Sequence, residues 1–337
     1  MANIKIFVTY KTRKEIIQSD IITPIQSGRA IADEIFEDMI GDDTGDNISE
    51  KNCKYSELSA VYWVWKNYRK IGNPDYVGFM HYRRQFVFDE RLALPYPKWI
   101  SSYYYVSNQK EASSFFSDEA IMNLVPKYDY IIPKYHVVPN GKNIREEYIH
   151  NISGSKDYIF DEFIKVCRQI HPDWEEEIHK IETGNIVSVC NMFIMNRKLF
   201  FDYCEFVFPV LSELEKRVDA TNLTENGLRF LGYMAEKLQT MYTMRLEKNK
   251  NLKEKFCNCL FVRKDIRKND ICYVNQSLYN NVMIKNALNL GRNKLKYWRY
   301  KLLSKITFGK KRKKYKEKRK KVKTLIKQTK QFLKGIK

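Results

Sequence analysis

Apolar residues occur along this chain in short continuous runs separated by stretches with helical spacing. Runs at 4–8, 76–80 and 128–132 alternate too little for surface strands and are typical of buried strands in a parallel sheet. A fourth run, 185–195, predicts another buried strand, although Asn191 interrupts it. Strands that alternate with helices indicate an α/β fold.

Helices are predicted around 30–39, 143–150 and 158–170, and three more bear on the site. Leu58, Tyr62 and Trp65 share one helical face at i, i+4 and i+7, which is more often a core face than an aromatic sugar platform. Two later helices are predicted at 197–217, with a break at Pro209, and at 228–244. In the last of these Glu236 lies among apolar neighbours, where it is either half-exposed or a candidate catalytic base.

Polar side chains follow the predicted strands at their carboxyl ends, where open α/β sheets bind ligands. The strand at 76–80 runs directly into an aromatic and cationic segment: His81, Tyr82, Arg83 and Arg84. The first strand is followed by three candidate nucleoside contacts, which are alternatively an ordinary polar loop: Thr9, Tyr10 and Lys11. Asn191 either satisfies a neighbouring loop or points into the same site. Two arginines after a buried strand predict an anion site, with a surface cationic patch as the alternative.

Charge is distributed very unevenly over the 337 residues. The formal net charge is +20, but the last 46 residues, 292–337, hold 21 Lys or Arg against one acid, Glu317. The rest of the chain is therefore neutral, and its 44% overall hydrophobic content is enough for a folded core. We predict a folded body with a cationic tail.

Cysteine usage and hydropathy indicate a reducing compartment. The seven cysteines are an odd number without a C-x-x-C pair, which favours free thiols over disulfides or a zinc site. No apolar run reaches the roughly 18 residues of a membrane span, and the first residues lack a signal-peptide profile. We expect a cytoplasmic protein that is neither exported nor membrane-spanning.

Four ordered blocks resemble a known bacterial family. They are G-D-N-I-S-x-K-N at 45–52, Y-x-E-L-x-x-x-Y-W-x-W-K-N at 55–67, G-x-x-H-Y-R-R at 78–84 and N-M-F-I-M at 191–195. Ile25, Gln26 and Gly28 also resemble its P-I-Q-x-G element. The family consists of glycosyltransferases from capsular polysaccharide, exopolysaccharide and lipopolysaccharide clusters, long catalogued as a domain of unknown function and including galactofuranosyltransferases.

The resemblance, over about residues 4–245, implies a GT-A-like fold and a nucleotide-sugar donor, most simply a UDP-sugar such as UDP-galactofuranose. We therefore predict a glycosyltransferase domain at 1–250, a connecting segment at 251–291 and the tail at 292–337. The implied acceptor is a lipid-linked or growing surface polysaccharide. The predicted donor contacts are Thr9, Tyr10, Lys11, Gln26, Asp46, Asn47, Glu57, His81, Tyr82 and Asn191.

The chemistry of glycosyl transfer requires that the leaving diphosphate be neutralised and, if configuration inverts, that a carboxylate deprotonate the acceptor. Many GT-A enzymes use a metal held by Asp-x-Asp, but here the corresponding strand leads into cations. We predict that Arg83 or Arg84 replaces the metal, because arginine binds phosphate bidentately. Glu236 is the first candidate base, followed by Glu57 and Asp129. Manganese or magnesium held by Asp43, Asp46 or His81 is the alternative.

The tail predicts membrane association. Aromatic and aliphatic residues alternate there with Lys and Arg, as in basic helices that lie at the interface of anionic membranes. We expect a peripheral protein on the inner face of the cytoplasmic membrane and no nucleic-acid partner. The competing interpretations are nucleic-acid binding by the same charges and a solvated tail without a partner. A nucleotide-binding or nucleic-acid-binding protein without transfer activity is the alternative function.

Overall fold

The computed structural model describes residues 2–93, 98, 103–113, 115, 117–138, 142–152, 154–262, 271–272, 294–303, 313–320 and 322–323. The chain forms two compact units. One contains residues 1–94 and 101–273, and the other contains residues 95–100 and 274–337.

The first unit alternates strands and helices over most of its length. Its strands are β1 (Ile4–Tyr10), β2 (Ile22–Gln26), β3 (Ile40–Gly41), β4 (Tyr76–His81), β5 (Arg84–Phe86), β6 (Tyr103–Val106), β7 (Tyr130–Pro133), β8 (His136–Val137), β9 (Ile186–Val187), β10 (Phe193–Asn196), β11 (Glu254–Cys257), β12 (Cys259–Val262) and β13 (Ile271–Cys272). Its helices are α1 (Asn52–Tyr55), α2 (Leu58–Lys66), α3 (Gln109–Ser113), α4 (Asp118–Leu124), α5 (Ile144–Asn151), α6 (Asp157–Ile170), α7 (Glu175–Thr183), α8 (Arg197–Arg217), α9 (Glu225–Leu228) and α10 (Phe230–Leu246).

A mixed sheet organises this unit. Strand β1 lies between β2 and β4 and runs parallel to both, while β10 is antiparallel to β4 and to β7. Strand β11 adds parallel to β7, and β5, β12, β6 and β13 continue from the end of β4. Strands β11 to β13 fall in the predicted connecting segment 251–291 and belong to the sheet. The predicted α/β fold with flanking helices is confirmed.

The runs of buried apolar residues predicted most of the central strands. Every residue of β1 except Lys5 is buried, and β4 is buried from Val77 to Met80. The predicted strand at 185–195 is wrong as a single element, because it splits into β9 and β10. Cys190 and Asn191 between them have φ values of 79° and 45°, which a strand cannot contain.

The long helices pack on the sheet through aromatic side chains. Phe79 on β4 contacts Phe193 on β10, and Phe193 contacts Tyr203 on α8, with ring centroids 5.4 and 4.9 Å apart. Helix α8 runs unbroken for 21 residues, so the predicted break at Pro209 is wrong. Pro209 and Glu205 are both exposed, so water can satisfy the carbonyl that loses its helical hydrogen bond.

The second unit contains helical residues at 294–303 and 313–320. Leu295, Trp298 and Leu302 share one helical face and are 73%, 61% and 62% exposed. Tyr300 stacks on Tyr315 with ring centroids 6.2 Å apart. Predictions for residues 292–293, 304–312, 321 and 324–337 lie outside the described residues. Across the described ranges, none of the helices has the length and apolar content that a bilayer crossing requires.

Candidate functional site

Strand β4 carries His81 to the edge of the sheet at which β1 and β2 also end, because these strands are parallel. Thr9 on β1 is the register partner of His81. After His81 the chain turns at Tyr82 and Arg83, and Arg84 begins β5 as the antiparallel partner of His81. His81 and Arg84 therefore lie side by side at the carboxyl edge of the sheet.

His81 is held by both of its ring nitrogens. Its Nε2 atom contacts the carbonyl oxygen of Cys190, and its Nδ1 atom lies 3.3 Å from the hydroxyl of Thr9. Burial lowers the pKa of His81, while nearby Glu57 opposes this effect and Arg84 adds to it. The ring is therefore neutral at pH 7. Because a carbonyl only accepts hydrogen bonds, the proton lies on Nε2, which leaves Nδ1 as the acceptor facing Thr9.

Lowering the pH is expected to remove stability that depends on His81. Because its folded-state pKa is depressed, the contribution is complete above the unfolded value of about 6.5 and falls as the pH drops below it, by at most about 1.4 kcal/mol per pH unit. In urea unfolding at about pH 7.5 and 5.5, the advantage of the wild type over His81→Gln should shrink at the lower pH. An advantage that does not change with pH would contradict this. His179→Gln, at an exposed histidine, is the control.

Residues 188–192, between β9 and β10, form a loop with a strained backbone. Cys190 and Asn191 are two of four non-glycine residues with positive φ among the described residues, and Ser56, with φ of 52°, is another. Such conformations cost on the order of 1–3 kcal/mol each and persist where the surroundings fix them, often at functional sites. The contacts that fix these two conformations come from helix α10.

One face of α10 holds the loop in place. The carbonyl of Gly232 accepts a hydrogen bond of 3.0 Å from the side-chain amide of Asn191. One helical turn later, Oε1 of Glu236 accepts a hydrogen bond of 2.6 Å from the backbone N–H of Cys190. A side chain at position 232 would crowd Ser56, because a Cβ there would lie 3.0 Å from its Oγ. The loop, α10 and the start of α2 are thus fitted closely together.

The same face of α10 binds the first and last residues of the loop. Gln239 donates hydrogen bonds to the hydroxyl of Ser188 and to the carbonyl of Met192, and the hydroxyl of Thr240 accepts from the N–H of Ser188. Sequence reasoning missed these contacts. The available signal was a row of polar residues at i+3 and i+4 from Glu236 within a mostly buried helix.

Two carboxylates flank the loop. Oε1 of Glu57 accepts a hydrogen bond of 2.7 Å from the amide of Asn191 and lies 4.0 Å from Nε2 of His81. Glu236 binds Cys190 through Oε1, and its Oε2 lies 3.4 Å from the ammonium of Lys237, which is only 5% exposed. Asn191 also has a buried side-chain oxygen without a partner among the described residues. An unsatisfied buried acceptor suits a ligand donor group.

Arg84 is the cation beside these carboxylates. Its guanidinium lies 5.4 Å from the centroid of the Phe261 ring and is half-buried. Cys190, Glu236 and Glu57 raise the pKa of Arg84, against the opposing effect of burial. Burial raises the pKa of the Cys190 thiol to about 12, so it stays protonated at neutral pH. Arg84 is therefore a fixed positive charge near both acids.

Arg83 and Tyr82 form the turn outside this cluster. Arg83 is exposed, with its guanidinium 5.2 Å from the centroid of the Tyr82 ring, and Tyr82 stacks on Tyr10. Tyr10 is fully buried, and its hydroxyl accepts a hydrogen bond of 3.0 Å from the N–H of Ile17. Lys11 is exposed beyond the end of β1. Tyr10 therefore supports the turn, while Lys11, Tyr82 and Arg83 are accessible at its rim.

Other candidates bond elsewhere. Gln26 is buried, and its amide bonds the backbone of the loop that follows β2. Asp46 accepts a hydrogen bond of 3.2 Å from the hydroxyl of Tyr62, and Asn47 bonds the backbone of its own turn. Asp129 lies at the amino end of β7, which is the opposite edge of the sheet. The structure brings together Glu57, His81, Arg84, Asn191 and Glu236 and leaves these four residues in separate contacts.

Asp42 has a role that sequence reasoning missed. It is fully buried, and its carboxylate accepts hydrogen bonds from the N–H groups of Gly28 and Arg29 and from the hydroxyl of Ser49, at 2.8, 3.0 and 2.5 Å. Gly28 has φ of 70°, and a Cβ there would lie 2.5 Å from Cγ of Asn52. Buried hydrogen bonds of Asp42 therefore join the loop that contains the P-I-Q-x-G element to the loop that contains the 45–52 block. No local pattern distinguished Asp42 from its acidic neighbours.

The residues predicted as alternative metal ligands each have protein partners. Throughout the part of the chain that the structure describes, no three His, Cys, Asp or Glu side chains converge closely enough to hold an ion. Asp43 lies 3.8 Å from Arg29, Asp46 bonds Tyr62, and His81 bonds through both nitrogens. The three residues considered as metal ligands thus have separate protein partners.

Comparison with known proteins gives two findings. A family model described as a domain of unknown function (DUF4422) matches residues 5–250, which include the whole cluster from Glu57 to Glu236. A solved structure described as the apo form of WbbM, a bifunctional glycosyltransferase, is similar with a TM-score of 0.68 and 31% identity. The similarity covers 77% of this chain and 45% of that chain, so this chain spans less than half the length of WbbM. No curated protein matches significantly.

Proposed function

The chain belongs to the family described as a domain of unknown function (DUF4422), and on that basis and from the cluster around Arg84 we propose that the protein is a glycosyltransferase. The donor is a nucleoside diphosphate sugar, with a UDP-sugar and in particular UDP-galactofuranose as the first to test. The acceptor is a lipid-linked or growing surface polysaccharide. Similarity to a bifunctional glycosyltransferase supports the reaction class.

The observation that carries the proposal is the placement of Arg84 with Glu57 and Glu236 at the carboxyl edge of a GT-A-like sheet. A departing diphosphate needs a fixed positive charge, which a half-buried guanidinium supplies without reorganisation. A carboxylate nearby can receive the proton of the acceptor hydroxyl. Arg83, on the exposed turn, and Lys11 serve as outer contacts to the phosphates or the nucleoside.

A panel of nucleotides tests the donor class. We expect UDP and one UDP-sugar to raise the melting temperature, because a ligand at about 100 times its Kd stabilises the fold by about 2.7 kcal/mol. The same ligands should act in the presence of EDTA. The absence of a shift with any nucleoside diphosphate would overturn the donor assignment.

UDP-sugar turnover that is lost with EDTA and restored by manganese would overturn the metal-independent role of Arg84. Binding of UDP without hydrolysis or transfer would favour the non-catalytic alternative.

The cationic tail is the proposed membrane contact. Leu295, Trp298 and Leu302 form an exposed apolar stripe on helix 294–303, while 21 cationic residues lie in 292–337. An apolar stripe flanked by lysines suits the interface of an anionic bilayer, where each cation contributes about 1 kcal/mol. This placement would bring the catalytic unit to a lipid-linked acceptor on the inner face of the cytoplasmic membrane.

Liposome co-sedimentation tests this surface. The full chain should bind vesicles that contain about 30% phosphatidylglycerol and should bind phosphatidylcholine vesicles much more weakly, because the attraction is largely electrostatic. A chain ending at residue 291 should lose the binding to anionic vesicles. Trp298→Ala with Leu302→Ala should weaken it at unchanged charge. Equal binding by the truncated chain, or displacement of the full chain by RNA at equal phosphate concentration, would count against a membrane role.

A further inference from the structure

The two carboxylates of the cluster have different surroundings, and we infer that Glu57 is the catalytic base while Glu236 is a positioning residue. The inference rests on the proposed function. Glu236 lies next to Glu57 through the 188–192 loop, since Cys190 binds one carboxylate and Asn191 binds the other. Either acid could be the base on composition alone. The difference lies in which of their oxygens are already engaged.

Both oxygens of Glu236 face protein donors. Oε1 accepts the short hydrogen bond from the N–H of Cys190, and Oε2 lies 3.4 Å from the buried ammonium of Lys237. Neither oxygen of Glu236 is therefore left open toward an acceptor hydroxyl. The same contacts fix the left-handed backbone at Cys190, whose carbonyl in turn contacts His81. Glu236 therefore shapes the loop.

Glu57 has one engaged oxygen and one open oxygen. Oε1 accepts from Asn191, and Oε2 has no hydrogen-bond or ion-pair partner among the described residues. Its side chain is 16% exposed, and it lies at the N-terminus of α2, so its position is fixed by a buried helix. An accessible oxygen on an otherwise oriented carboxylate can receive a proton.

The groups around Glu57 suit this role. The charged or titratable neighbours are His81 on β4, Arg84 on β5, Cys190 in the loop, Tyr203 on α8 and Glu236 on α10. His81 is neutral and Cys190 stays a thiol, so Arg84 is the cation left to face an incoming diphosphate. His81, with both nitrogens bonded to protein, is not free to compete for the proton.

Glycosyl transfer in this site is a single displacement at the anomeric carbon. The acceptor hydroxyl oxygen forms a bond to the anomeric carbon of the sugar, and its proton passes to Oε2 of Glu57. The bond between the anomeric carbon and the diphosphate oxygen breaks, and its electron pair leaves with the diphosphate, whose charge Arg84 offsets. The anomeric configuration inverts. No oxidant, reductant or further reactant is needed.

The test compares amide and alanine variants at the two positions. Glu57→Gln keeps an oxygen that accepts from Asn191 but cannot take a proton, so kcat should fall by about 100-fold or more with the donor KM nearly unchanged. Glu236→Gln keeps the acceptor for Cys190, so turnover should stay within about tenfold of the wild type. Formate should partly restore Glu57→Ala but not Glu236→Ala. Glu50→Gln, at an exposed glutamate, controls for the lost charge.

Hydrogen exchange of the peptide that spans 186–196 gives a readout independent of turnover. It should speed up in Glu236→Ala and stay unchanged in Glu57→Gln. The inference is overturned if Glu57→Gln keeps turnover within about threefold of wild type, if formate restores Glu236→Ala instead, or if the product retains the donor's anomeric configuration. If the wild type consumes no nucleotide sugar, the proposed function fails. Hydrogen exchange then tests the positioning role by itself. Faster exchange of the 186–196 peptide in Glu236→Ala supports that role, and unchanged exchange overturns it.

Discussion

Arg84→Met is expected to lower kcat/KM for the nucleotide sugar by about 10³-fold, whereas Arg83→Met should cost less than about tenfold. The two arginines are adjacent in sequence and differ in environment. Arg84 is half-buried among Cys190, Glu236 and Glu57, and Arg83 is exposed on the turn. A charge held in a partly desolvated site acts on a leaving diphosphate much more strongly than one in water. Steady-state kinetics with the donor identified by the nucleotide panel gives the comparison.

Arg84→Lys separates charge from geometry. Lysine keeps the positive charge but lacks the planar fork that grips two phosphate oxygens, so activity should lie between those of the wild type and Arg84→Met. Because Arg84→Met removes the positive charge near Glu57 and Glu236, thermal unfolding must show that the variant is folded at the assay temperature. Equal losses at positions 83 and 84 would contradict the separation of their roles, and full activity of folded Arg84→Met would remove the arginine from the mechanism.

The central strands could be predicted from sequence because burial on both faces leaves a local signature. Strand β1 has six buried residues out of seven, and β4 has four out of six, so each appears as a continuous apolar run. Helix α8 was also predictable, because its buried residues repeat with helical spacing over 21 residues. Helix α10 was predicted although it is buried on most sides. The helix predicted at 30–39 is wrong, because that region contains only the short 3-10 helix Arg29–Ile31. Short strands such as β5 and β12 are harder to predict, because β5 has no apolar run and the four apolar residues of β12 do not distinguish a strand from a buried helix. They exist because they pair with each other across about 170 residues of chain.

The candidate site could be predicted where polar side chains directly follow a strand. It could not be predicted where segments distant in sequence meet. His81 and Arg84 follow directly from β4, so their place at the sheet edge could be inferred. The strained loop depends on hydrogen bonds with α10, about 46 residues away, and the polar residues of α10 indicate that it has partners but not which segment they bind. Gln26 and Asn47 show a further limit of motif reasoning. Both lie in the sequence blocks that resemble the family, yet Gln26 bonds the backbone of the loop after β2 and Asn47 bonds the backbone of its own turn.

Asp42→Ala is expected to lower the free energy of unfolding by about 3 kcal/mol or more. The substitution leaves the N–H groups of Gly28 and Arg29 and the hydroxyl of Ser49 without their acceptor in a buried position. Each unsatisfied buried donor costs about 1–3 kcal/mol. Urea unfolding followed by circular dichroism measures the change, and Asp33→Ala, at an exposed aspartate, should have an effect within about 0.5 kcal/mol.

Asp42→Asn tests the acceptor role of the carboxylate more directly, because it keeps one acceptor oxygen but turns an NH₂ group toward backbone donors. Its loss of stability should therefore approach that of Asp42→Ala, although the side chain has nearly the same volume. A loss below about 1 kcal/mol for both variants would show that water or a shifted loop can satisfy Gly28 and Ser49.

The loop after β2 starts at the same sheet edge as His81, since β2 and β4 are both parallel to β1. Asp42 variants that remain folded should therefore also bind UDP more weakly, which links the lock between the two loops to the donor site.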